Sequence, residues 1–186
     1  MRLHEATKKP YRLQFLAAMQ KEIEDHVLRS HWKVIPLCSL PPNKPPLPMV
    51  WSMKCKRNTL GEITKWMARL CAGGHKSIEN VDNWENYPPF VSWSTVCLIL
   101  VLALINNWTM ISIDFVTAFP QAATKTDLYM KPPTVPYDSV IPDLPKLMDR
   151  FTHVYKLINN RYGLKDTSCT WHGLLRKFLL ERHWKQ

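Results

Sequence analysis

One carboxylate and a short row of cations have the types and spacing to do chemistry in this 186-residue chain. Asp114 directly follows the apolar run Trp108-Thr-Met-Ile-Ser-Ile113 and leads into Phe115-Val116-Thr117-Ala118-Phe119. A carboxylate at the end of a buried strand stays ionised only where a cation or hydrogen-bond donors offset its desolvation. A capping or turn aspartate is the ordinary alternative. The cations lie upstream. Residues 50–57 alternate, with Trp51, Met53 and Cys55 on one face and Ser52, Lys54 and Lys56 on the other. Asn58-Thr59-Leu60-Gly61 has turn chemistry, and the return segment sets Trp66, Ala68 and Leu70 against Lys65, Met67 and Arg69. This is a β-hairpin with one apolar and one basic face. Four cations on one face need water or an anion, and phosphate is the natural anion; a solvated hairpin surface is the plain alternative.

Other elements must hold these groups in place. Residues 12–29 read as an amphipathic helix with Leu13, Leu16, Met19, Ile23 and Val27 at helical spacing. A short extended stretch, His31 to Val34, precedes Pro41 to Pro48, where five prolines in eight residues make a stiff connector. Residues 94–106 are apolar nearly all round and predict a buried helix ended by Asn106-Asn107. Residues 108–113 predict a buried strand that delivers Asp114. Pro132 to Pro145 reads as a proline-punctuated loop, 153–158 as a strand, and Tyr162-Gly163-Leu164-Lys165 as a turn into a last helix. In that helix Trp171, Leu174, Leu175, Phe178 and Leu179 form an apolar stripe expected to be core. Strands and helices in this mixture give an α+β fold class.

Composition narrows the function classes. The chain is 46% apolar and 22% charged, enough to bury a core, with 5 glycines and 15 prolines, which excludes collagen and coiled-coil readings. Its longest apolar run, Val96 to Ile105, is ten residues, half of the roughly 20 that a bilayer span needs. The N-terminus lacks the apolar stretch of a secretory signal, so an intracellular, cytoplasmic location without membrane contact is expected. Five widely spaced cysteines without a Cys-x-x-Cys read as reduced, mostly buried thiols, not as a zinc site. The net charge of +10 is uneven: residues 44–76 carry +6, residues 77–145 carry −5 and residues 146–186 carry +6. Basic flanks around an acidic centre suit a polyanion-binding protein that keeps a few carboxylates for a cation; a basic protein with solvated lysines is the plain alternative, and charge alone favours it slightly.

The order of motifs resembles the reverse transcriptase domain of copia-type long-terminal-repeat retrotransposon polyproteins. The similarity starts in the first helix and His31-Trp32, then runs through Trp51-Ser-Met-Lys-Cys-Lys-Arg-Asn-Thr-Leu-Gly-Glu-Ile63 and Ala68-Arg69-Leu70. It continues in Val81-Asp82-Asn83-Trp84-Glu85-Asn86-Tyr87-Pro88-Pro89-Phe90-Val91, Ile113 to Gln121, Asp127-Leu128-Tyr129-Met130 and Tyr162-Gly163-Leu164-Lys165. It implies an incomplete reverse transcriptase domain over residues 12–186 after an N-terminal extension of 1–11. Fingers would span about 12–92 and the start of the palm about 93–186 of a right-hand-shaped polymerase.

The resemblance also implies roles. Arg69 would grip the triphosphate of an incoming deoxynucleotide, with Lys65 beside it, and Lys54, Lys56 and Arg57 would meet nucleic acid. Asp114, with the backbone carbonyl of Phe115, would hold Mg2+, and two such ions would serve nucleotidyl transfer on an RNA template and a DNA primer. Phe119 would be the ring that excludes a 2′-hydroxyl. The departures count too: Met67 stands where the family has Lys, Gly73 where it has Lys or Arg, Asn86 where it has Thr, and Asp166 where it has Gln. The second metal motif, Tyr-x-Asp-Asp, is missing, since the sequence holds no Asp-Asp pair, and a thumb is missing as well. One of three expected carboxylates implies a fragment that is an RNA-directed DNA polymerase by descent and inactive in this form. The alternative is a non-catalytic, basic nucleic-acid-binding remnant.

Overall fold

The computed structural model describes residues 3–6, 10–77, 90–133 and 151–182. Its helices are α1 (Leu3–Ala6), α2 (Arg12–Leu28), α3 (Trp93–Ile105), α4 (Ala118–Gln121) and α5 (Thr167–Glu181). Its strands are β1 (Trp32–Pro36), β2 (Met49–Arg57), β3 (Ile63–Ala72), β4 (Tyr129–Met130) and β5 (His153–Leu157). They form two antiparallel sheets, β2–β3 and β1–β5–β4, so the mixed α+β class holds. Apart from Phe90 and Val91, the 81–91 motif lies outside the described residues, as does the proline-punctuated loop beyond Pro133.

The hairpin forms as its alternation dictates. Trp51 pairs with Leu70, Met53 with Ala68 and Cys55 with Trp66, which places these side chains on one face. Asn58 builds the turn: its Oδ1 accepts the N–H groups of Leu60 at 3.1 Å and Glu62 at 2.9 Å, and Gly61 takes φ +85°. The apolar face is covered by α2, whose Phe15, Leu16, Met19 and Ile23 are buried against Trp51, Met53, Ala68 and Leu70. Ala6 of α1 is buried in the same cluster, so part of the 1–11 extension belongs to the core. Leu13 and Val27 do not: both are exposed. At about 100° per residue the face centred on Phe15, Met19 and Ile23 leaves Leu13 on the far side and Val27 at its margin, and places His26 inward instead.

The second sheet carries a second cluster of Leu47, Ala72, Leu128, Met130, Tyr155, Leu157 and Leu164. Leu47 ends the proline connector there, donating to Tyr129 O at 2.8 Å and accepting from Lys131 N at 2.9 Å. Trp32 packs against both clusters and stacks on Tyr155 with centroids 5.1 Å apart.

Four burial expectations are corrected. Helix α3 forms, capped by Ser92 Oγ accepting from Thr95 N at 3.2 Å, but it is not buried: Leu98, Ile99, Val101, Leu104 and Ile105 are exposed, Val96 is half-buried and only Ala103 is buried. The apolar faces of α2 and the sheets are spent on each other, which leaves α3 uncovered among the described residues. Residues 108–113 form no strand, and Trp108, Met110, Ile111 and Ile113 are exposed. A strand needs a ladder partner, and residues 108–113 pair with neither sheet. The α5 stripe is not core: Trp171, Leu175 and Leu179 are half-buried, and Leu174 and Phe178 are exposed. None of the five free cysteines is buried; Cys38 and Cys97 are exposed. No described helix is long and apolar enough to cross a membrane.

Candidate functional site

A cleft of about 420 Å³ is bounded by α2, β3, the segment after α3 and Tyr162. Helix α2 contributes Lys21, Glu22 and Asp25, β3 contributes Lys65, Met67 and Arg69, and the third wall is Asp114, Phe115, Val116 and Thr117. Four of the residues singled out in the sequence, Lys65, Arg69, Asp114 and Phe115, therefore line one space. In the hairpin register Lys56 sits opposite Lys65, Lys54 opposite Met67 and Ser52 opposite Arg69, so the basic face exists as alternation predicts. Lys54 and Lys56 are exposed on it but do not line the cleft. Arg57 is diverted: the register slips after Lys56, and Arg57 Nη1 donates to Gly61 O at 2.6 Å.

Asp114 is exposed, so the desolvation expected of it at the end of a buried strand does not arise. The cause is the missing ladder under residues 108–113. Its segment is fastened on the far side instead. The Phe115 ring meets Trp171 edge-on at 5.3 Å, Arg29 Nη1 donates to Thr117 Oγ1 at 3.0 Å, and Gln121 Nε2 donates to Val116 O at 2.8 Å. Phe119 lies outside the cleft lining, with its ring 5.4 Å from Tyr162.

Tyr162, read from sequence as a turn residue, is the wall the sequence did not reveal. The Arg69 guanidinium lies 4.9 Å from its ring centroid, a cation–π contact. Burial pushes the Tyr162 hydroxyl above its usual pKa. The residue is held by its backbone, because Ala72 N–H donates to Tyr162 O at 2.7 Å. Gly163 follows with φ +92°, and a Cβ there would stand 2.2 Å from Ala72 O, so only glycine permits this approach. The aromatic residue immediately before a turn glycine was the available signal.

Behind this wall is a buried polar cluster. Arg161 is fully buried, its guanidinium 4.4 Å from the Trp32 ring centroid, and its Nη1 donates to His26 Nε2. His26 Nδ1 is 2.8 Å from His31 Nδ1. With Arg161 donating to Nε2, His26 carries its proton on Nδ1 and gives it to His31. Glu22 Oε1 lies 3.2 Å from His26 Nε2 and accepts the Leu70 N–H at 3.0 Å. Burial raises the Glu22 pKa, but the Leu70 N–H and the Arg161 charge hold it below the usual carboxylate value. Burial, then Arg161, lower the His31 pKa to about 4, and burial also lowers that of His26. Burial brings Arg161 to about 9, so it remains a cation at neutral pH.

This cluster makes the fold acid-sensitive. Both imidazoles are neutral when folded and gain protons near pH 6.5 once unfolded, so the unfolded chain binds more protons as pH falls. Stability is full above pH 6.5 and drains away as pH drops toward about 4, the folded value of His31. Urea unfolding midpoints should fall between pH 7 and pH 4.5, and His31→Gln should flatten that decline. An unchanged slope in His31→Gln would refute the assignment.

Among the described residues no group of three or more His, Cys, Asp or Glu side chains is arranged to hold a metal. In the cleft Asp114 stands on its own segment, Glu22 and Asp25 lie on α2 with Glu22 accepting from Leu70, and the three carboxylates are not grouped. This donor set does not fit the two magnesium ions that the resemblance implies. The departures from the family pattern fall into place locally. Met67 lines the cleft between Lys65 and Arg69. A Cβ at Gly73 would stand 2.6 Å from Pro48 Cγ. Asp166 does not line the cleft: it is buried ahead of α5, where burial raises its carboxyl pKa.

Comparison with known proteins agrees with the motif order. The family model described as reverse transcriptase (RNA-dependent DNA polymerase) matches residues 32–186. The chain is 28% identical over 163 residues to the retrovirus-related Pol polyprotein from transposon RE1 of Arabidopsis thaliana, covering 88% of this chain and 10% of that protein. It is 27% identical over 169 residues to the corresponding RE2 polyprotein, with 88% and 10% covered. The Pol polyprotein from transposon TNT 1-94 of Nicotiana tabacum is 26% identical over 177 residues, with 95% and 12% covered. The chain thus spans about a tenth of the length of these curated relatives. No solved structure matches. The family match across residues 32–186, a span that includes the cleft residues Lys65, Arg69 and Asp114, places the chain in the reverse transcriptase family of copia-type retrotransposon Pol polyproteins.

Proposed function

We propose that this chain grips the triphosphate of a nucleotide in the cleft and nucleic-acid phosphates on the hairpin, and performs no nucleotidyl transfer by itself. The observation that carries this reading is the convergence of Lys65 and Arg69 on the space that Asp114 and Phe115 also line. Lys65 and Arg69 are exposed toward that space, so both keep donors for phosphate oxygens. The Arg69 guanidinium lies 4.9 Å from the Tyr162 ring centroid, a contact that restrains its fork, and the Phe119 ring packs tilted against the same tyrosine at 5.4 Å. Asp114 and the Phe115 carbonyl would be the palm-side contribution to Mg2+, with further carboxylates required from outside this sequence. The proposed fingers and palm meet at this cleft.

Titration with dATP should give saturable binding. Charge-assisted hydrogen bonds of about 1.5–3 kcal/mol make Arg69→Ala roughly ten- to a hundredfold weaker. Primer extension with Mg2+ should stay at background, and incorporation that Asp114→Ala abolishes would overturn the inactive half of the reading.

A second reading, a nucleic-acid-binding module without nucleotide binding, is favoured by the exposure of Lys54 and Lys56 away from the cleft. Single-stranded RNA binding should weaken steeply with salt, and each cation neutralised on β2 should reduce the log–log slope by about 0.7. A slope indifferent to Lys54→Ala and Lys56→Ala would remove the hairpin from the interface.

A further inference from the structure

We propose that Glu22 is a positioning residue for the cleft: its carboxylate clamps the outer edge of β3 at Leu70 and so sets how Arg69 is presented. The proposal rests on the triphosphate reading of that cleft. Strand β3 pairs only with β2, so its other edge has no ladder. A two-stranded ribbon twists and frays unless something fastens it. Two outward N–H groups are fastened here, Leu70 to Glu22 Oε1 at 3.0 Å and Ala72 to Tyr162 O at 2.7 Å. Arg69 adjoins the first of them, on the opposite face from the buried Leu70 side chain.

Glu22 reaches the other half of the contact as well. One α-helical turn along, His26 lies 3.2 Å from the same carboxylate oxygen, and His26 accepts from Arg161. Arg161 is the residue before Tyr162, whose ring lies beneath the Arg69 guanidinium. A single carboxylate therefore ties down the strand that carries the cation, and its charge also attracts Arg161, the residue before the aromatic support. No other carboxylate lining the cleft is hydrogen-bonded to the β3 backbone among the described residues.

The sign of the effect separates positioning from bystander electrostatics. A carboxylate in an anion-binding cleft repels the anion, so deleting it for charge alone should tighten binding. Positioning requires the reverse. Binding of inorganic tripolyphosphate to the full chain is measured by calorimetry, alongside hydrogen exchange of the Leu70 amide and the Arg69 Nε–Hε resonance. Glu22→Ala should weaken tripolyphosphate binding at least fivefold, speed Leu70 exchange at least tenfold and shift the Arg69 resonance. Glu22→Gln, which keeps an acceptor oxygen for Leu70, should bind at least as tightly as the parent and hold Leu70 exchange within threefold. Asp25→Asn, the charge control, should bind equally or more tightly. Glu22→Met retains side-chain volume without an acceptor and carries the Glu22→Ala expectation where that variant fails to fold. Unchanged or tighter binding in Glu22→Ala, or unchanged Leu70 exchange, overturns the proposal. A parent chain that binds no tripolyphosphate removes the nucleotide reading instead. The Leu70 exchange and Arg69 resonance then uphold or overturn the clamp without it.

Discussion

Gly163→Ala should lower folding stability by about 3–5 kcal/mol, read as a drop in urea midpoint with an unchanged slope. Three costs coincide. A φ of +92° lies where L-residues are strained, by about 1–3 kcal/mol. The new methyl would stand 2.2 Å from Ala72 O and 3.3 Å from Ala72 C, so backbone rather than a flexible side chain must move. That movement breaks the Ala72 N–H bond to Tyr162 O, itself a net contribution of about 0.5–1.5 kcal/mol. Gly61→Ala is the internal comparison: φ is +85°, but nothing lies within 4 Å of the added methyl. Its cost should stay near the conformational part alone, about 1–2 kcal/mol. Equal effects at the two glycines would show that the close approach of the 161–164 turn to β3 is not what holds Tyr162 in the cleft. Tripolyphosphate affinity should fall in Gly163→Ala and not in Gly61→Ala, because Gly61 closes a turn away from the site.

What could be read from sequence and what could not divide along the range of the interactions. The hairpin was legible because each of its determinants is local: a period of two in Trp51, Met53 and Cys55, and an asparagine whose side chain closes the turn two and four residues on. The last helix and the strand at 153–157 were legible for the same reason. Burial was not. The run from Val96 to Ile105 is apolar enough for any interior, yet what covers a helix is decided by other elements, and the described ones are committed elsewhere. Residues 108–113 have strand composition without a strand partner. Asp114 consequently sits exposed on a segment outside both sheets, and the desolvation argument that first drew attention to it fails, although the residue lines the cleft.

The same division runs through the site. Alternation placed Lys65 and Arg69 on the basic face, but the contacts of Arg161 and Glu22 have no local signature. Arg161 meets His26 across 135 positions, and Glu22 meets Leu70 across 48. A histidine on the inner face of a helix reads as core, and an arginine next to a turn reads as solvated. Each is explained only by the other. Arg161 Nε and Nη2 have no hydrogen-bond partner among the described residues, and the Trp32 face and the Glu22 charge are what compensate this cation. Two-way dependence of this kind leaves no pattern in one sequence.

Phe15→Ala should cost about 3–5 kcal/mol, and its effect on the cleft should exceed its distance from it. Phe15 is fully buried, its ring edge-on to Trp66 at 4.9 Å, within the cluster that seats α2 on the apolar face of the hairpin. A lone two-stranded hairpin is at best marginally stable in water, so the basic face keeps its shape because the opposite face is anchored. Leu13→Ala, two residues away on the same helix and 72% exposed, should stay within about 0.5 kcal/mol of the parent. Thermal melts of the pair test the packing, and tripolyphosphate titration tests its consequence. Phe15→Ala should loosen the α2–β3 seam that places Glu22 against Leu70, and with it the Arg69 grip, whereas Leu13→Ala leaves both intact. Equal melting temperatures would mean that α2 is not the element that makes the hairpin a platform. A destabilised Phe15→Ala with parental affinity would mean that the platform survives without its anchor.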